Sequence, residues 1–155
     1  MDAKTKRMMW RVVGWGTLLV IIAGIVWLFT LPKIPRDQVA SYGGLHWHPH
    51  LSIKVYGKEI QIPANVGTTG EHVERPHTHD ANNILHYEIP GIALVKDTTL
   101  KKFFDVWGKK LSSTCLVDEC ATGTSTVKMF VNGVPNTLYE NYPIKDKDEI
   151  ELILE

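Results

Sequence analysis

Residues 12–31 read V-V-G-W-G-T-L-L-V-I-I-A-G-I-V-W-L-F-T-L, without one charged side chain. As a helix at ~1.5 Å per residue, the run spans ~30 Å, the thickness of a bilayer's hydrocarbon core. It is apolar all round and has no polar face to present to water, unlike the surface helix of a small soluble domain. Trp10 and Trp15 lie toward one end and Trp27 and Phe29 toward the other, as in an aromatic belt. Pro32 and Pro35 are placed to close the helix.

Lys4, Lys6, Arg7 and Arg11 precede the run, and only Lys33 and Arg36 follow it closely. The positive-inside rule then makes residues 1–11 a basic cytoplasmic tail and exports the rest. A cleaved signal peptide has a shorter apolar core and a small-residue exit; here L-P-K-I-P follows a longer core, and no cysteine waits to take a lipid. The expectation is a single-pass transmembrane helix over residues 12–31, a linker over 32–44 ending in Gly43-Gly44, and an extracytoplasmic domain over 45–155. The formal charge of zero hides an asymmetry, about +4 over residues 1–37 and about −4 over the remainder. That balance excludes a basic nucleic-acid binder.

The exported part is histidine-rich in one stretch. All seven histidines lie between positions 46 and 86. L-H-W-H-P-H-L carries His46, His48 and His50; P-H-T-H-D carries His77, His79 and Asp80; L-H-Y-E carries His86 and Glu88. Imidazole is the commonest protein metal ligand, so His46, His48, His50, His77, His79 and His86 are the candidate ligands. Asp80 and Glu88 are placed to orient them by accepting ring N–H protons. His72 reads as a loop residue.

Leu51, Ile53 and Val55 alternate with polar residues, and Ile60 and Ile62 alternate after Gly57-Lys58, so residues 50–63 read as a hairpin. Residues 84–89 read as a third strand with Leu85, Tyr87 and Ile89 inward, which turns His86 and Glu88 to the other face. By the same parity His50, and with a backward extension His48 and His46, leave the core side. Leu100, Phe103, Phe104, Trp107 and Leu111 share one face of a helix capped at Thr98 or Thr99, with Gly108 near its end. Residues 126–132 form a strand ending at an Asn132-Gly133 turn, residues 138–139 a short strand, and residues 149–155 a last alternating strand. This order fits an α+β domain, a β-grasp-like mixed sheet with one packed helix.

Cys115 and Cys120 enclose L-V-D-E. Outside the cytoplasm they are expected to pair as a structural disulfide, and the spacing is not the C-x-x-C of thioredoxin-like redox motifs.

The motifs H-W-H-P-H-L, H-T-H-D, I-L-H-Y-E and F-F-D-V-W-G together resemble an uncharacterised family of small, often membrane-anchored bacterial and archaeal proteins. The resemblance covers roughly residues 44–155 and implies that the histidines act as a set, without implying an activity. Members often carry Gly-Ile-Ile before the third-strand histidine, where this chain has Asn83-Ile84-Leu85. The cysteine pair lies outside the pattern.

The leading reading is a membrane-anchored protein on the extracytoplasmic side that serves metal binding, sensing or delivery, holding a transition metal ion. Imidazoles without free thiolate suit copper(II) or zinc, and the affinity order of divalent metals together with an extracytoplasmic site favours copper. Its partners are the membrane and the metal ion. A small metalloenzyme, a copper oxidoreductase or zinc hydrolase with Asp80 or Glu88 as acid or base, is the second reading. It is disfavoured because about 110 residues leave little room for a substrate pocket. A pH-sensing interaction module is the third.

Overall fold

The apolar run folds as part of a longer helix, α1 (Ala3–Thr30). The computed structural model, which describes residues 2–31 and 33–155, carries this helix back through the basic tail. Lys, Arg and Met are good helix formers, and neither Gly nor Pro interrupts residues 3–11. At the far end Leu31 is extended (φ −60°, ψ 137°), as the residue before a proline prefers. Pro32 itself, expected to close the helix, lies outside the described residues. With 28 residues, none buried, α1 is long and apolar enough to cross a membrane.

Residues Pro35–Glu155 form a separate compact unit of short strands and one further helix. In chain order these are β1 (Val39–Ser41), β2 (Leu45–Trp47), β3 (His50–Val55), β4 (Lys58–Glu59), β5 (Thr68–Thr69), β6 (His72–Val73), β7 (Pro76–His77), β8 (His86–Ile89) and β9 (Ala93–Leu94). Helix α2 (Leu100–Trp107) follows, then β10 (Lys110–Leu111), β11 (Cys115–Val117), β12 (Glu119–Cys120), β13 (Val127–Val131), β14 (Val134–Pro135) and β15 (Glu149–Leu154). The unit is α+β with mixed sheets. Its largest sheet has the order β14-β13-β15-β3-β4, with β3 and β15 parallel and the other neighbours antiparallel.

Alternation decides what this sheet buries. Leu51, Ile53, Ile150, Leu152, Leu154, Val127 and Met129 enter one core with Leu100, Phe103 and Phe104 of α2. Each such side chain, fully buried, contributes about 1.5–3 kcal/mol. The turn residues Tyr56-Gly57 (φ 49° and 77°) and Asn132-Gly133 (φ 52° and 78°) are left-handed in pairs, as two-residue hairpins require. The first hairpin therefore turns one residue earlier than the Gly57-Lys58 read from the sequence.

Three other segments differ from expectation. Gly108 caps α2 in the left-handed region (φ 71°), so Leu111 leaves the helix and enters β10. The short strand expected at residues 138–139 is a 3-10 turn, Tyr139–Asn141. The strand forms instead at Val134–Pro135, directly after the turn that returns it to β13. The expected linker is partly folded, since Val39 pairs with Leu94 and Ser41 with Ala93. Cys115 and Cys120 face each other across β11 and β12, with their sulfurs at the bonding distance of 2.05 Å.

Candidate metal centre

The site rests on a second, three-stranded sheet with the order β2-β8-β7. Leu85, Tyr87 and Ile89 are buried, and the Tyr87 hydroxyl donates to the Thr99 carbonyl at 3.0 Å, tying β8 to the start of α2. His86 and Glu88 therefore face away from that core. Across the ladder His46 pairs with Glu88, and His77 pairs with His86. Directly opposed residues share a face of the sheet, so register alone gathers His46, Glu88, His77 and His86.

The β2–β8 register continues past the end of β2. Leu85 N–H donates to the Pro49 carbonyl at 2.9 Å, and His50 bridges Ile84. One step before Pro49, the same register sets His48 across from His86, with ring centroids 4.8 Å apart. His48, His86 and His77 thus form one rung across the sheet. Pro49 supplies a carbonyl but no N–H. Beyond it the chain changes partners, and β3 joins β15.

His79 arrives from the loop after β7. Thr78, between His77 and His79, points the other way and is fully buried. Its hydroxyl donates to the Pro63 carbonyl (2.8 Å) and accepts from Val66 N–H (3.0 Å). With Thr78 anchored, its two neighbours turn to the site, and the His79 ring lies 4.4 Å from that of His86. Gly67 leaves room behind β7; a Cβ there would stand 2.9 Å from the Pro76 carbonyl oxygen.

Two overlapping groups of ligand atoms result. Those of His77, His79, His86 and Glu88 lie within 4.8 Å of one another, and so do those of His46, His48 and His86. An ion held at ~2.0–2.1 Å needs its ligand atoms within about 4.2 Å pairwise, a small side-chain adjustment away. The His77 ring is set for the task. Its Nδ1–H donates to the Glu74 carbonyl at 2.9 Å, which leaves Nε2 with its lone pair, facing Nε2 of His79 at 3.3 Å. This is the backbone-carbonyl support usual behind a metal-bound imidazole. Nδ1 of His86 is buried with no hydrogen-bond partner, which a native structure tolerates rarely without a ligand or water to fill the role. Burial, then the neighbouring rings of His79, His48 and His77, push the His86 pKa down to about 4, with Glu88 opposing them.

The other expected residues fall elsewhere. His50, expected among the ligands, is not in either group. It follows the Pro49 partner change, and its Nδ1 lies 3.2 Å from a Glu149 carboxylate oxygen. His72 sits exposed on the β5–β6 hairpin beside Glu74. Asp80, expected to orient a ligand, is exposed and outside both groups. Glu88, expected to orient a ligand or to act as acid or base, stands among the ligand atoms themselves and also lies 2.9 Å from His46 Nε2.

Three supporting residues were not among the expected site residues. Glu74 acts through its backbone carbonyl, which no side-chain pattern signals. Asp146 accepts from the His48 backbone N–H at 2.9 Å, from a turn 98 positions away. Thr78 did carry a signal, its opposite parity within H-T-H. No family model, curated protein or solved structure matches the chain.

Proposed function

We propose that this chain is a single-pass membrane protein that holds a transition metal ion on the extracytoplasmic side, for metal binding, sensing or delivery. The observation that carries the reading is the convergence of His46, His48, His77 and His79 on His86, with Glu88 beside them. Imidazole and carboxylate without thiolate suit zinc or copper(II). The affinity order ranks copper first. The 3.3 Å between the two Nε2 atoms is close to the edge of a tetrahedron with ~2.05 Å bonds, about 3.35 Å, which suits zinc. The membrane side rests on the basic residues before α1 and on the bonded cysteines, which suit an oxidising compartment. We also read the large sheet as a β-grasp. In support, an N-terminal hairpin, one helix and a last strand are arranged so that the first and last strands lie side by side and parallel.

The test is elemental analysis of the full chain purified in detergent without a polyhistidine tag, after exposure to Zn(II) or Cu(II). Close to one equivalent per chain is expected, lost in His86→Ala. Absence of stoichiometric metal under every loading condition refutes the reading. Electronic spectra of the Cu(II)-loaded and Co(II)-substituted protein then separate tetragonal from tetrahedral geometry.

A further inference from the structure

The two ligand groups share one residue and differ in exposure. His77 is 1% exposed, His86 is half-buried, and His46, His48, His79 and Glu88 are exposed. Resting on the metal-binding reading above, we propose that a single ion has two seats joined at His86. The resident seat is made by His77, His79, His86 and Glu88. The handover seat is made by His46, His48 and His86, through which the ion enters and leaves.

Ligand exchange by this route never releases a bare ion. His86 stays bound while His77, His79 and Glu88 let go and His46 and His48 take hold. The rings support such a step, with His48 4.8 Å and His79 4.4 Å from His86 by centroid, on the same face of one sheet. Both seats draw on the His86 ring, which makes them alternatives for one ion. Nε2 of His46 lies 2.9 Å from Oε1 of Glu88, so an outer ligand of one seat touches the carboxylate of the other. An ion bound at that His46 nitrogen parts the pair, and an ion in the resident seat lets it stand. A shallow groove lined by Gly43, Gly44, Leu45, His46 and Glu88 opens beside the handover seat. It gives a competing nitrogen or oxygen donor, from a chelator or an acceptor protein, a direct approach to the outer ligands.

A handover seat changes rates without changing where the ion rests. The test uses the full chain in detergent, loaded with Zn(II), and follows transfer to an excess of a chromophoric chelator by stopped flow. Wild type is expected to bind one ion. The double variant His46→Gln/His48→Gln is expected to slow both uptake and release by about tenfold or more, against the ordinary case in which affinity changes track release alone. Both side chains are exposed, and an unchanged thermal midpoint confirms that the variant is folded. Release that is not slowed in the double variant overturns the proposal. Two ions per wild-type chain also overturn it, because the seats are then simultaneous sites rather than alternatives. Loss of all binding in the double variant overturns it by making His46 and His48 part of the resident seat. Failure of wild type to bind any metal refutes the metal reading itself, a result distinct from each of these.

Discussion

His77 lies directly opposite His86 across the β7–β8 ladder, with the two rings within 20° of parallel and their centroids 5.5 Å apart. One ring is fixed from behind by the Glu74 carbonyl, and the other has a buried nitrogen without a partner. This pair, one ring oriented and one unsatisfied, is the centre from which the consequences below follow.

His77 and His50 should separate sharply under substitution. His77→Ala removes an oriented ligand and is expected to weaken metal binding by at least about 100-fold. His50→Ala touches only the pair with Glu149 and is expected to change binding by less than about 0.5 kcal/mol. Competition titration against a chelator of known affinity reads both. Equal losses would return His50 to the site.

Thr78 is expected to support the site through folding. Thr78→Val removes the hydroxyl that serves both Pro63 and Val66, leaving a buried N–H without its acceptor at a cost of about 1–3 kcal/mol. Thr78→Ser keeps the hydroxyl and should recover most of that loss. Denaturant unfolding of the metal-free proteins checks the order. Equal stability of the valine variant and wild type would show that the anchor is dispensable.

The metal-free protein should lose stability as pH falls from about 6.5 to about 4. His86 ordinarily titrates near 6.5 and is pushed down to about 4, by burial first and then by His79, His48 and His77, with Glu88 opposing. Between those values the unfolded chain binds a proton that the folded chain refuses, so unfolding gains ground on acidification. Unfolding curves at pH 7.5, 6.0 and 5.0 measure the slope, and His86→Gln should flatten it. An unchanged slope in that variant would assign the effect to other groups. Metal affinity should fall over the same range, because protons compete for the imidazoles.

The disulfide should matter for stability and not for metal. Closing the short loop between Cys115 and Cys120 is worth about 2 kcal/mol by chain entropy. Cys115→Ser/Cys120→Ser is expected to lose that much in denaturant unfolding while keeping metal stoichiometry. Loss of the metal would link the cysteine hairpin to the site.

Much of this molecule follows from periodicities that any strand or helix must obey. The apolar run of α1 needs no tertiary information, since its length and composition alone make a helix long and apolar enough to cross a membrane. Alternation placed Leu85, Tyr87 and Ile89 inward and His86 and Glu88 outward, because successive strand side chains oppose each other. Gly108 announced the end of α2, because the left-handed cap suits a residue without a Cβ. What alternation cannot supply is the identity of the residue across the ladder. His50, His48 and His46 have the same parity, and only the long-range β2–β8 register and the change of partner at Pro49 put His46 and His48 beside the cluster while His50 turns to Glu149. The face a side chain takes is a local property of its strand. The neighbours it meets there are set by pairing between segments forty positions apart, and that pairing exists only in the folded chain.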